Sequence, residues 1–185
     1  MLEVEFKASL EGISPEQLEA AWRKLGFVSG NCLREVDSYY NGTQRDFRRT
    51  DEALRLRSCT HLPEGPRETL LTYKGPKLDD LSCARREYEV AVSDGETAQK
   101  LLEALGYAPV FTVDKTRREL HLGAVTLCLD QVAGLGRFLE LELLVEPEER
   151  EVAEARLLDL LDRLGVPRDR LTRTSYLELL MEKGV

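Results

Sequence analysis

Leu2-Glu3-Val4-Glu5-Phe6-Lys7 alternates apolar and charged residues without a break. On a β-strand, successive side chains point to opposite faces. Glu3, Glu5 and Lys7 therefore share one face, and Leu2, Val4 and Phe6 share the other. Taken alone, such a stretch reads as an ordinary solvated strand surface. The same device recurs, however, with both signs of charge, in Ala53-Leu54-Arg55-Leu56-Arg57, Arg86-Glu87-Tyr88-Glu89-Val90-Ala91-Val92 and Phe138-Leu139-Glu140-Leu141-Glu142-Leu143.

Between these stretches the chain reads as further strands over 33–40, 70–74, 110–120 and 125–130, with Asn41-Gly42, Gly123 and Gly134-Leu135-Gly136 as turns and 61–66 as a loop. Ser14-Pro15-Glu16 starts a helix whose apolar face is Leu18, Ala21, Trp22 and Leu25, and Gly26 ends it. Ser93-Asp94-Gly95-Glu96 caps a second helix, with Leu101, Leu102 and Leu105 facing inward. Pro147 opens a third helix that runs to Leu164 with Val152, Leu157, Leu158 and Leu161 on its apolar side, and a short one follows from Ser175 to Met181. About eight strands in mostly antiparallel order, each with one charged and one apolar face, predict an α+β fold: a barrel or strongly curved sheet with flanking helices. No Gly-, Ser- or Pro-rich linker divides the chain, so residues 1–185 are read as a single domain.

The composition excludes several classes. The net charge of −8 opposes nonspecific nucleic-acid binding, so a polyanion would have to bind in a local basic pocket. No apolar run approaches the roughly 20 residues that span a bilayer. The polar faces of the terminal helices are rich in acids, which suits covering the barrel or a homodimer contact and not a membrane. Two early carboxylates stand where an export signal would be basic, and the four scattered cysteines form no C-x-x-C pair. Reduced thiols in a cytoplasmic protein are the expectation. Gly134-Leu135-Gly136 lacks the rest of a dinucleotide fingerprint, and no Gly-Lys-Ser/Thr phosphate loop is present.

The acids carried at alternating strand positions are Glu3, Glu5, Glu87, Glu89, Asp130, Glu140 and Glu142; the bases are Lys7, Arg55, Arg57, Lys74, Arg85, Lys115 and Arg117. They form either solvent-facing cross-strand pairs, each worth little, or the lining of a shared interior. A shared interior would have to be wet, mutually paired, or filled by ligand and metal, because unpaired buried ions are prohibitively costly. Carboxylates suit Mg²⁺ or Mn²⁺, and converging guanidiniums and ammoniums suit phosphate oxygens.

In order along the chain, Glu3-x-Glu5-x-Lys7, Val36-Asp37-Ser38-Tyr39-Tyr40, Ala53-Leu54-Arg55-Leu56-Arg57, Thr72-Tyr73-Lys74-Gly75-Pro76, Arg85-Arg86-Glu87-Tyr88-Glu89, Lys115-Thr116-Arg117, Leu129-Asp130 and Leu135-Gly136-Arg137-Phe138-Leu139-Glu140-Leu141-Glu142 resemble the CYTH superfamily, the triphosphate tunnel metalloenzymes. Tyr73-Lys74-Gly75-Pro76, Phe111-Thr112-Val113-Asp114-Lys115-Thr116-Arg117 and Thr174-Ser175-Tyr176-Leu177 are most similar to its class IV adenylate cyclase branch. The resemblance implies a closed antiparallel eight-stranded β-barrel tunnel that holds a divalent metal (Mg²⁺ or Mn²⁺) and a threaded triphosphate such as ATP or tripolyphosphate. By position it implies Glu3, Glu5, Asp130, Glu140 and Glu142 as metal ligands. It implies Lys7, Arg55, Arg57, Lys74, Arg85, Lys115 and Arg117 as phosphate-binding groups, with Glu5, Lys7 and Lys115 nearest the chemistry. Glu87 and Glu89 would join the metal shell or orient basic neighbours, and Asp37 and Tyr39 would play a supporting part. The activity implied is adenylate cyclase, ATP to cyclic AMP and pyrophosphate. A triphosphatase acting on inorganic, nucleoside or thiamine triphosphate is the rival, and a non-catalytic polyphosphate sensor is the third reading.

Overall fold

The opening alternation forms strand β1, Leu2–Ser9, and both of its faces are covered. Leu2, Val4, Phe6 and Ala8 are buried on one side, while on the other Lys7 is 5% exposed and Glu3 and Glu5 are half-buried. A computed structural model of the chain describes residues 2–78 and 85–184; Cys83 lies outside the described residues.

Seven further strands continue the sheet: β2 (Val28–Gly42), β3 (Ala53–His61), β4 (Arg67–Lys74), β5 (Glu87–Ala91), β6 (Tyr107–Leu122), β7 (Val125–Val132) and β8 (Gly136–Val145). A two-residue strand, β9 (Leu171–Thr172), makes nine, in the order β5-β4-β3-β2-β6-β7-β8-β1-β9. Every pairing is antiparallel. The sheet rolls until its ends meet: Glu3 of β1 forms an isolated bridge with Arg85, just ahead of β5. Across the same junction, Lys74 Nζ at the end of β4 lies 3.8 Å from Glu3 Oε1.

The expected closed eight-stranded barrel is thus corrected in one respect. Among the described residues the sheet does not close with a continuous ladder, and its seam carries one bridge and an ion pair. The reason lies in the free edge of β1, which is divided: Lys7 and Ala8 pair with β9, which leaves Glu3 to reach Arg85. Two strands also run further than their alternation suggests. Asn41 and Gly42 do not turn but pair with Ala108 and Tyr107, and register shifts at Ser29/Cys32 and Tyr39/Tyr40 let the long β2–β6 pair bend. His61, expected in a loop, ends β3 opposite Leu33.

The apolar faces of β1, β7 and β8 lie beneath α1 (Pro15–Leu25) and α3 (Arg150–Arg163). Val4, Phe6, Leu127, Leu139 and Leu141 meet Leu18, Trp22, Leu157 and Leu161 there, in the main hydrophobic core. The signals read for α1 hold: the Ser14 hydroxyl accepts the Gln17 N–H at 3.3 Å, and Gly26 closes the helix at φ 89°. Helix α2 (Gly95–Ala104) differs, since of its three expected inward leucines only Leu102 is buried. It packs through Leu102 and Ala98 on Tyr40, Leu56 and Tyr107, while Leu101 and Leu105 remain exposed. Pro147–Glu149 is a 3₁₀ turn ahead of α3, and Val152 is exposed. Helix α4 (Tyr176–Lys183) packs against Val113, Val132 and Phe138. Among the described residues, no helix is long and apolar enough to cross a membrane.

Leu141 has no exposed surface. Leu141→Ala is expected to lower unfolding stability by about 2–5 kcal/mol in urea denaturation, through lost burial and the cavity left behind. A loss below about 0.5 kcal/mol, the range of a neutral surface change, would place this face outside the core.

Candidate active site: a tunnel lined by ion pairs

Sheet register sets acid against base across the tunnel wall. Lys7 stands opposite Glu140, Arg117 opposite Asp130, Lys115 opposite Glu35, Arg57 opposite Asp37 and Lys74 opposite Glu87. The period of two then turns these pairs to the same side of the sheet, away from the helix-covered core. All the sequence-derived candidates on β1, β3, β4, β6, β7 and β8 share this interior.

Arg117 is its centre. Its Nε and Nη2 donate to the two oxygens of Asp130 at 2.8 and 2.7 Å, Nη1 donates to Glu142 Oε1 at 3.2 Å, and Nη2 also reaches Glu140. Lys115 Nζ bridges Asp130 at 3.1 Å and Glu35 at 3.2 Å. On the facing wall Arg57 grips Asp37 with two bonds, of 2.7 and 2.8 Å, and Glu35 with a third, of 3.0 Å. Arg55 lies 3.6 Å from Asp37 and donates to Thr72 Oγ1 at 3.3 Å, while its buried Nε finds no acceptor among the described residues. A buried guanidinium donor without an acceptor is costly, and here it points to an anionic ligand.

The acids fall into two kinds. Burial alone would raise Asp37 and Glu140, but it is outweighed, by Arg55 and Arg57 at Asp37 and by Arg117, Lys115 and Lys7 at Glu140. Both are held well below the usual carboxylate range. Glu3, Glu5 and Glu142 go the other way. Burial pushes Glu3 up to about 8 against the pull of Lys74, with Glu142, Glu87 and Glu5 adding to the rise. Burial pushes Glu142 up to about 7 despite Arg117, helped by Glu140 and Glu5. Glu5 rises from burial and from Glu140.

Among the described residues, no three His, Cys, Asp or Glu side chains converge closely enough to hold an ion as they stand. The donor set nevertheless fits a hard divalent cation. Glu3, Glu5 and Glu142 are oxygen donors whose crowded negative charge a cation would relieve. Asp130 and Glu140, also expected as metal ligands, are engaged by Arg117 in this structure. Arg85, bridged through its backbone to Glu3, donates to the Gly75 carbonyl at 3.4 Å and lies 3.9 Å from Asp51. Glu87 contacts Lys74, and Glu89 accepts the Thr72 hydroxyl at 2.7 Å and lies 3.7 Å from Arg55, so both face basic groups.

Three groups escape the sequence-derived set. Glu35, 3% exposed, stands two residues before Asp37 and so shares its strand face, a spacing that could have found it. Thr72 is fully buried among charges. Tyr176 begins a helix, and no periodicity marks it as a tunnel group; its hydroxyl donates to Asp130 at 3.0 Å. Burial and the neighbouring Glu35 push Cys59 up to about 11, and burial and Glu142 raise Cys128, which disfavours the thiolate at both.

The CYTH domain family matches residues 1–176. A Methanocaldococcus jannaschii protein named "Putative adenylate cyclase MJ0240" is 37% identical over 182 residues, covering 97% of this chain and 98% of that one. "Adenylate cyclase CyaB" of Aeromonas hydrophila is 29% identical over 180 residues, covering 94% of this chain and 86% of that one. The solved structure of PH1819 from Pyrococcus horikoshii OT3 superposes with a TM-score of 0.88 at 40% identity, covering 98% of this chain and 99% of that one.

The raised carboxylates make stability depend on pH. Glu3 and Glu142 retain protons in the folded, metal-free protein that the unfolded chain releases at ordinary carboxylate pH. Their stabilising contribution is therefore full in acid and lost as pH rises through about 7 for Glu142 and about 8 for Glu3. The melting temperature of the metal-free protein is expected to fall between roughly pH 5 and pH 9, and Glu142→Gln is expected to flatten that fall. An identical slope in the variant would refute the assignment.

Proposed function

The chain belongs to the CYTH domain family, and from that membership and the charged lining we propose a divalent-cation-dependent enzyme that converts ATP to cyclic AMP and pyrophosphate inside the tunnel. One observation carries the triphosphate reading. Lys7, Arg55, Lys115 and Arg117, from three different strands, are each 7% exposed or less and face one interior. Burying that many cations costs more than their mutual pairing returns in stability, so a ligand is the economical explanation. The two curated relatives, both named for adenylate cyclase, support the finer reading.

In this proposal Lys7, Arg55, Arg57, Lys74, Arg85, Lys115 and Arg117 hold the phosphates. Guanidiniums bind two phosphate oxygens at once, and ammoniums act as compact charges. Glu3, Glu5 and Glu142, with Asp130 and Glu140, would hold Mg²⁺ or Mn²⁺, while Arg117 and Lys115 would bind phosphate oxygens. When bound, the cation would supply Lewis acidity that favours ionisation of the ribose hydroxyl and would offset phosphate charge. The lining fixes the triphosphate so that the ribose 3′-oxygen lies in line with the α-phosphorus. The 3′-oxygen–phosphorus bond forms, the bond from the α-phosphorus to the bridging oxygen breaks, and the hydroxyl proton leaves to solvent. Lys7 and Lys115 stabilise the charge that develops on pyrophosphate.

Hydrolysis of a terminal phosphate in the same tunnel is the second reading. It is favoured by a lining made mostly of charged groups, which grip phosphate and cation alike. Cys32, Cys59 and Cys128 are free, which supports a cytoplasmic setting.

Purified protein given ATP or tripolyphosphate with Mg²⁺ or Mn²⁺ is expected to yield cyclic AMP and pyrophosphate from ATP, resolved by ³¹P NMR and chromatography. Orthophosphate, released fastest from tripolyphosphate, would replace the cyclase with the hydrolase. Lys7→Ala and Glu5→Ala are each expected to reduce turnover by about 10²-fold or more with circular dichroism unchanged. Wild-type turnover in either variant would overturn the tunnel mechanism.

A further inference from the structure

Among the described residues Tyr176 is a tunnel group supplied by a helix, and its ring lies against both Lys7 and Lys115. Its position at the start of α4 is set by Ser175, whose hydroxyl accepts the Glu178 N–H at 3.1 Å while the Glu178 carboxylate accepts the Ser175 N–H at 2.7 Å. The ring meets Phe138 edge-on at 5.1 Å between centroids, and its hydroxyl is anchored on Asp130. Lys7 Nζ lies 4.7 Å and Lys115 Nζ 5.2 Å from the centre of this ring.

Lys7 shows what the ring does. Its nearest carboxylate oxygens, on Glu140 and Glu5, lie at 3.8 and 3.9 Å, beyond hydrogen-bond distance. A buried ammonium held this loosely by carboxylates needs another partner. The π face of Tyr176 attracts the cation through its quadrupole and consumes none of the directional N–H donors. A carboxylate in the same place would occupy those donors and repel an arriving phosphate, whereas the neutral ring does neither.

We infer that Tyr176 is a positioning residue for the triphosphate. Its ring holds the Lys7 and Lys115 ammoniums together while leaving the Lys7 donors open to phosphate oxygens. The role rests on the triphosphate reading above. It makes the short C-terminal helix part of the binding site as well as a cover for the sheet.

The test compares wild type, Tyr176→Phe and Tyr176→Leu by isothermal titration with inorganic tripolyphosphate, in EDTA and again with Mg²⁺. Tyr176→Phe keeps the ring and is expected to bind within about twofold of wild type, and Tyr176→Leu about tenfold more weakly. Wild-type affinity in Tyr176→Leu, or equal weakening in both variants, overturns the role of the ring. No binding by the wild type in either buffer overturns the triphosphate reading and this role with it. A measurement on the unmutated protein guards against a Leu variant that does not fold. The ε-methylene protons of Lys7 and Lys115, assigned through Lys7→Arg and Lys115→Arg, are expected upfield of those of the surface lysines in NMR spectra. Positions typical of exposed lysine overturn the contact.

Discussion

Arg117 binds three strands into one wall. Its guanidinium, 6% exposed, engages Asp130 on β7 and Glu140 and Glu142 on β8 from its own place on β6. Removing Arg117 would leave the buried carboxylates of Asp130 and Glu140 without their main counter-charge in low dielectric, a loss far larger than the net worth of the intact network. Because this interior is ionic, the sheet can bury its other face only against something apolar, and α1 and α3 supply that cover. Strands enclosed on both sides by unlike chemistry must alternate strictly. Register is then fixed, since a slip of one residue would drive every charge into the leucine core.

The interior is balanced unevenly, and that imbalance prepares it for a ligand. Asp37, Asp130 and Glu140 are committed to guanidiniums. Glu3, Glu5 and Glu142 crowd one another and hold their protons more tightly than free carboxylates do. On the basic side Arg55 keeps a donor without an acceptor, and Lys7 sits beyond hydrogen-bond distance of its acids. A cation would satisfy the first set and a polyanion the second, which is the chemistry of a metal-bound triphosphate.

Legibility follows periodicity. The pairs Glu3/Glu5, Arg55/Arg57, Lys115/Arg117 and Glu140/Glu142 could be read because residues two apart on a strand share a face whatever the neighbouring strands do. Glu35 obeys the same rule beside Asp37 and was within reach of it. Tyr176 was not, because its approach to Lys7 and Lys115 depends on where α4 lands, and helical spacing says nothing about that. Leu101 and Leu105 show the opposite failure: their spacing suits an inward face, but α2 docks through Leu102 and Ala98 and leaves them exposed.

Local alternation, turn residues and caps determined which residues form strands, where α1 starts and ends, and which charges travel together on a face, because these depend only on backbone geometry. Which face lies inside, which acids Arg117 gathers, and that among the described residues Glu3 meets Arg85 and Lys74 at the seam were decided only by tertiary structure. Those outcomes depend on the curl of the sheet and on the competition between β9 and Arg85 for one edge of β1. Both bring together residues far apart in the chain, and no local pattern encodes that meeting.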